Sequence, residues 1–206
     1  MDKAIAFFDF DGTLTTRDSF TAFIIYAVSW PALILKGLLF SPVVILFYLG
    51  LVSNSLAKGL SVRLFFKGWS VKKLEEMGRR FYGERLVHLL RPGVLERLRW
   101  HQQKGHHTVL VSASLRFWLE DFCQQNGLSL ICTELEEIGD KITGRLNPRN
   151  CFGPEKVRKI KECYELGAYT MVYAYGDTRG DREMLEIADH AYFKPFRGKD
   201  HFGVEE

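Results

Sequence analysis

The chain has 206 residues, 47% of them hydrophobic and 26% charged, with 28 basic side chains against 25 acidic ones. This is the composition of a folded protein with one good core and room for a smaller second lobe, and it excludes a disordered or fibrous chain. A net charge of +3 is too slight for a nucleic-acid binder, although residues 54–91 hold nine Lys or Arg against three Glu and so offer a local basic face to an anion.

Taken in chain order, residues 3–10 (KAIAFFDF) form a short apolar, aromatic-rich run ending in Asp-Gly, the pattern of a buried strand. Residues 15–90 break with that pattern and read as helical throughout, an insertion after the first strand. Within it, residues 19–53 carry one charge, Lys36. The apolar run 31–52 is long enough for a membrane span, but a single span would leave Asp9 on one side of the bilayer and Ser112, Lys156 and Asp177 on the other. Pro31 and Pro42 each suit a first helical turn, with Ser29 and Ser41 as caps. The expectation is two short helices, 31–40 and 42–52, each about 15–17 Å long. They would form the core of the cap, a dimer contact, or a hairpin on one leaflet with Trp30 and Tyr48 at the interface and the basic 54–91 stretch toward anionic headgroups.

Beyond the insertion, a helix is expected over 93–104, with Gly105, His106 and His107 as a solvated turn. A second buried strand follows over 108–114 (TVLVSAS), then a hairpin over 134–146 turning at Gly139-Asp140. A helix opens at Pro154 and closes at Gly167, and a third buried strand covers 169–177 (YTMVYAYGD). Strands alternating with helices predict an α/β fold with a parallel, Rossmann-like sheet. Residues 1–14 and 91–206 would form the core and 15–90 a helical cap. Cys123, Cys132, Cys151 and Cys163 form no Cys-x-x-Cys pair, and Asp9 and Asp11 interrupt the first apolar run, so no secretory signal is read there. Buried free thiols in a reducing cytoplasm, with peripheral contact at the inner face of the membrane, are the expectation.

Asp9 and Asp11 raise the chemical question, because two adjacent like charges need a positive partner. In an α/β sheet, ligands gather beyond the carboxyl ends of the strands, where Asp9, Ser112 and Asp177 fall. Asp181 lies four residues past Asp177, and Lys156 sits in the first turn of its helix. Three carboxylates suit one Mg²⁺, a hard, oxygen-seeking ion that remains attractive to a phosphate dianion. Ser112 and Lys156 are placed to hold phosphoryl oxygens, joined by Gly12 and Thr13 in the loop after Asp11 and by Ala113 beside Ser112. Asp9 would attack phosphorus, and Asp11 would protonate the leaving alcohol and then deprotonate water.

The stretches DFDGTLT (Asp9, Asp11), VLVSAS (Ser112), GPEKV (Lys156) and YGDTRGD (Asp177, Asp181) resemble the four motifs of the haloacid-dehalogenase-like superfamily. The insertion is similar to that of its helical-cap subfamily, which includes phosphoserine phosphatase and phosphatidylglycerophosphatase C. The resemblance implies Asp9 as nucleophile, Asp11 as acid/base, and Ser112 and Lys156 on phosphate. It also implies Mg²⁺ on Asp9, the Asp11 backbone carbonyl and Asp177, with Asp181 in support. Many phosphoserine phosphatases carry Asn where this chain has Gly180.

The expected substrate is a phosphorylated small molecule or lipid. An apolar, basic cap points to a lipid or lysolipid phosphate, whereas Asp18 points to a phosphoserine-type metabolite, since phosphoserine phosphatases carry a glutamate there that meets the substrate amine. Asp18 also suits a helix cap. Two rival readings are a receiver-like phospho-acceptor domain, which Asp11 and the long insertion oppose, and an inactive membrane scaffold, which the intact acidic set opposes.

Overall fold

A computed structural model describes residues 3–197; residues 1–2 and 198–206, assigned to the core from sequence, lie outside the described residues. Six strands form one sheet in the order β4-β3-β2-β1-β5-β6: β1 Ala4–Phe8, β2 His107–Leu115, β3 Ser129–Ile138, β4 Lys141–Asn147, β5 Met171–Gly176 and β6 His190–Phe193. All neighbours run parallel except β3 and β4. The eight helices are α1 Ser19–Ala27, α2 Trp30–Tyr48, α3 Asn54–Phe66, α4 Val71–Glu84, α5 Val94–Gln103, α6 Arg116–Asn126, α7 Pro154–Cys163 and α8 Arg182–Glu186.

The central strand β1 is buried at all five positions, which is why its sequence is continuously apolar: a parallel strand is covered on both faces. Its side chains alternate between two cores. Ile5 and Phe7 pack with Val109, Val172 and Ile160, while Ala6 and Phe8 point to the opposite face with Leu110 and Tyr175. The hairpin expected at 134–146 is present. Its first arm starts earlier, at Ser129, and that early part pairs parallel to β2 through Val109–Ser129 and Val111–Ile131.

Helices α1 to α4 lie between β1 and β2. Two chain crossings tie them to the sheet side by side: Thr16 N–H donates to Leu89 O at 2.8 Å and Arg91 N–H to Leu14 O at 2.8 Å. The cap shares its core with the catalytic layer. Phe23 of α1 stacks on Trp118 of α6 with centroids 4.5 Å apart, and Phe66 and Phe81 close around Phe23. The indole Nε1–H of Trp118 also donates to Ser19 Oγ at 3.0 Å. At the cap's base, Gly68 N–H donates to Ile142 O at 2.8 Å and Ile142 N–H to Trp69 O at 2.9 Å, so β4 is pinned to the α3–α4 turn.

Three expectations need correction. Residues 31–52 do not form two helices: α2 runs unbroken through Pro42. Proline removes the N–H that would bond the carbonyl four residues back. The Ser41 hydroxyl bonds that carbonyl instead, donating to Leu38 O at 2.8 Å, so Ser41 repairs a helix where it was expected to start one. His106 is not a solvated turn residue, because its ring stacks on Tyr173 at 5.4 Å and its Nδ1 meets Nδ1 of buried His101 at 2.8 Å. Burial holds His101 down to about 2, so it stays neutral in this contact. Cys123, Cys132 and Cys151 are buried free thiols as expected, but Cys163 is exposed.

Helix α4 meets α6 at Gly78, where a Cβ would lie 1.9 Å from the carbonyl oxygen of Phe117; Gly83, on the same helix, has open space around it. The two positions predict opposite outcomes in thermal unfolding. Gly78→Ala should lower stability by about 1–3 kcal/mol through overpacking against backbone, and Gly83→Ala should raise it by about 0.5–1 kcal/mol through helix propensity. Equal shifts in Tm for the two would contradict the close α4–α6 contact.

Candidate active site

The site forms where the parallel strands end. Asp9 follows β1 directly, its N–H donating to Tyr175 O at 2.9 Å and so extending the ladder by one step. Ser112 lies in β2, fully buried. Asp177 follows β5, and Lys156 sits in the first turn of α7. The loops before α7 and after β5 are tied by Gly153 N–H to Gly180 O at 2.9 Å. Four segments far apart in sequence thus bring their polar residues to one crevice, as a doubly wound sheet does.

At its centre is the ammonium of Lys156, 1% exposed. Its three protons go to Asp9 Oδ1 at 2.6 Å, Asp181 Oδ1 at 2.7 Å and Val111 O at 2.7 Å. Burial alone would lower its pKa, but Asp9 and Asp181 outweigh that and raise it. Burial likewise opposes ionisation of Asp181, yet Lys156 and the N–H groups of Asp177 and Thr178 hold its carboxyl below the usual range. The other oxygen of Asp181 accepts from Asp177 N–H at 3.1 Å, Thr178 N–H at 3.0 Å and Thr178 Oγ1 at 3.1 Å. Asp181 therefore shapes the loop as well as balancing Lys156.

Asp9 differs. Burial pushes it up to about 7 in spite of Lys156, with Asp181 and Asp11 adding to the rise. The Thr13 hydroxyl lies 2.8 Å from Asp9 Oδ2 and 3.2 Å from Asp177 Oδ1, joining the two carboxylates. Asp177 is also raised, by burial first and then by Asp181. Gly12 has φ +83° and a Cβ there would lie 2.6 Å from Asp177 Oδ2, so only glycine lets the loop pass this carboxylate.

Asp11 points away from this cluster toward the cap. Its Oδ1 accepts from Ser19 N–H at 2.6 Å and its Oδ2 from the Ser114 hydroxyl at 2.5 Å. Burial raises its pKa first, and Asp18 adds to that. Of the residues expected on phosphate, the Gly12 N–H is engaged by Thr15 Oγ1 at 3.2 Å, and Ser112 Oγ accepts from Ser114 N–H at 3.0 Å. Ala113 lies at the cavity wall.

One carboxylate oxygen from each of Asp9, Asp177 and Asp181 lies within 4.8 Å of the others, and all three residues are buried. An all-oxygen, concentrated acidic set fits a hard divalent cation. The cluster already draws a cation in: the Arg197 guanidinium donates to Asp177 Oδ2, and to Gly12 O at 3.2 Å. Because Asp181 is committed to Lys156 and its own loop, Asp9 and Asp177 are the carboxylates best placed to ligate.

Above these groups opens a cavity of about 590 Å³, reaching from Asp9, Asp11 and Lys156 up between α1, α2 and α3. Asp18 caps α1 as expected, accepting from Thr21 N–H at 2.7 Å, and it also borders the cavity. The upper walls are apolar, with Leu33, Phe40, Val44 and Phe47 from α2. Lys58 of α3 is a lining residue that sequence reading did not single out. Its ammonium donates to Ala113 O at 2.7 Å and lies 4.7 Å from the Phe20 ring centroid. Burial lowers its pKa, with Asp18 and Asp11 opposing. No spacing marks it, since only closure of the cap over β2 brings it there. Gly180 faces Phe152, whose ring lies 2.3 Å from where a Cβ would stand; an asparagine there would displace that cavity-lining ring.

Comparison with known proteins agrees with this geometry. The family model described as haloacid dehalogenase-like hydrolase matches residues 6–186. The protein CicA of Caulobacter vibrioides is 37% identical over 196 residues, 93% of this chain and 86% of its own. A Bordetella pertussis Tohama I protein of unknown function shares the fold with a TM-score of 0.80 at 22% identity, covering 91% of this chain and 88% of that one. A phosphoserine phosphatase holding a phospho-aspartyl intermediate analogue superposes with a TM-score of 0.65 at 17% identity, over 91% and 84% of the two chains. From β1 through α8 the chain belongs to the haloacid dehalogenase-like hydrolases.

Proposed function

We propose that this hydrolase is a Mg²⁺-dependent phosphate monoesterase working through an aspartyl-phosphate on Asp9. The observation that carries the reading is the pairing of two buried carboxyl groups on one cavity in different settings. Asp9 is held by Lys156 and Thr13 beside the acidic cluster, and Asp11 is turned to Ser19 and Ser114, where burial favours its protonated form. Two carboxyl groups held by different partners on one cavity suit divided nucleophile and acid roles.

In the first step an Asp9 oxygen forms a bond to phosphorus as the bond from phosphorus to the ester oxygen breaks. The Asp11 carboxyl gives its proton to the departing alkoxide. In the second step Asp11, now ionised, takes a proton from water; the water oxygen bonds to phosphorus, and the acyl-phosphate bond breaks to return Asp9 and release phosphate. Lys156 keeps Asp9 oriented through both steps, and the Ser112 hydroxyl with the backbone N–H groups of Thr13 and Ala113 would donate to the phosphoryl oxygens, the Gly12 N–H being engaged by Thr15. Mg²⁺ on Asp9 and Asp177 would neutralise the ester dianion and so permit attack by an anion. A receiver-like role is disfavoured, because Asp11 is set to hydrolyse the phosphoryl group that a receiver must keep.

For the leaving group, the apolar wall supplied by α1, α2 and α3 favours a lipid or lysolipid phosphate, with Lys58 as a cation for a second anionic group of the headgroup. A phosphoserine-type substrate is the second reading. Structural neighbours named as phosphoserine phosphatases and the carboxylate of Asp18 at the cavity support it.

Asp9→Asn should lower kcat at least about a thousandfold while circular dichroism remains native. Asp11→Asn should lower it about 10²–10⁴-fold. Appreciable turnover by Asp9→Asn would contradict the mechanism. A pH series tests the metal. Without Mg²⁺, the carboxyls of Asp9, Asp11 and Asp177 sit above their unfolded values, so their contribution favours folding at low pH and is lost as pH rises, for Asp9 through about 7. Lys156 and Asp181 are shifted outside that window and leave the slope unchanged. The gain in Tm on adding Mg²⁺ should therefore grow from pH 5 to pH 8, as metal replaces protons; a gain that shrinks over this range would count against metal at these carboxylates.

A further inference from the structure

Helix α2 has no buried residue in its 19 positions, and by length and composition it is apolar enough to cross a membrane. Its inner side, through Leu33, Phe40, Val44 and Phe47, walls the catalytic cavity. Its outer side is Ile34, Leu35, Leu38, Leu39, Ile45 and Leu49, all exposed, Leu38 to 69%. At about 100° per residue these six positions sweep an arc of about 140° of the helix circumference. A partner helix in a dimer covers a narrower seam, whereas lipid covers a whole arc. Exposed apolar surface of this extent marks a partner or a membrane.

Four further observations favour lipid. The aromatic residues Trp30 and Tyr48 stand at the two ends of α2, 71% and 82% exposed, where interfacial aromatics belong. Residues 19–53 contain no acidic side chain, and the stretch that follows α2, residues 54–91, holds nine Lys or Arg against three Glu, among them exposed Arg63 and Lys67 of α3 and its cap, a charge balance that an anionic surface attracts. The carbonyl of Leu38, freed by Pro42, is bonded by the Ser41 hydroxyl, which matters most where water is absent. Finally, α1 and α3 on either side of α2 share one core through Phe20, Phe23, Phe65 and Phe66, so both ends of α2 return to the same lobe and the helix cannot span.

We propose that α2 lies flat in the headgroup region of an anionic phospholipid leaflet, its outer half in lipid and its inner half walling the catalytic cavity. The lipid itself is the occupant of this face. The proposal builds on the lipid-phosphate reading by naming the surface from which substrate is taken, and it is measured without turnover.

Full-length protein is sedimented with vesicles of phosphatidylcholine alone and of phosphatidylcholine with phosphatidylglycerol, with no substrate present. Binding is expected to the mixed vesicles and to fall steeply with salt. The double variant Leu38→Glu/Ile45→Glu should bind about tenfold or more weakly while hydrolysing p-nitrophenyl phosphate as the unaltered protein does. Should that variant fold poorly, quenching by brominated lipid decides instead: tryptophan fluorescence is quenched in the unaltered protein, and Trp30→Phe loses most of the quenching. Absence of vesicle binding by the unaltered chain, or no quenching attributable to Trp30, overturns the proposal. So does a concentration-dependent dimer that the double variant dissolves, which would assign the face to a second copy. Vesicle binding with no turnover of any ester would overturn the phosphatase reading and leave the docking in place.

Discussion

The structure depends on one buried ammonium. Lys156 sits among Asp9, Asp181 and the carbonyl of Val111 with every proton used. Removing any one partner from such a group strands a charge away from water, which costs several kcal/mol. Its three partners come from the loop after β1, from β2 and from the loop after β5, so one side chain fixes the relative position of the central strands at their carboxyl ends. The acidic cluster is tolerable in the fold because this cation, and the Arg197 guanidinium on Asp177, hold down its repulsion.

Around that fixed centre the cap is built as an extension of the core. Trp118 from α6 enters the cap's aromatic cluster and donates to Ser19, whose own N–H donates to Asp11. Asp11 is thereby tied to α1 through a chain of contacts that begins at α6. Helix α2 meets this packing only along its inner edge, through Ala32, Leu33 and Phe40, and it carries the apolar wall of the cavity to the surface.

Most of the candidate site was legible in the sequence because the placement of each of its residues follows from a local rule. Asp9, Ser112 and Asp177 lie at or beside the carboxyl ends of apolar strands, and Lys156 follows a helix-opening Pro154. Such features survive in one dimension. What was not legible depends on contacts between distant segments. Lys58 is an ordinary helix lysine until α3 closes over Ala113. The parallel part of β3 is hidden because its residues 129–133 mix polar and apolar types before the clear hairpin begins. Pro42 looked like a helix start, and only the Ser41 hydroxyl on Leu38 O makes it an interior residue. His106 was misread because its partners Tyr173 and His101 lie on other elements.

The claim most worth testing is that Asp9 itself takes the phosphoryl group. Rapid acid quench of the protein during turnover, borohydride reduction of the acyl phosphate and mass spectrometry of the peptide containing residues 4–16 would locate it. The account predicts reduction of Asp9 to homoserine, dependent on both substrate and Mg²⁺. An unmodified Asp9 under conditions of rapid turnover, with phosphate released directly to water, would contradict it.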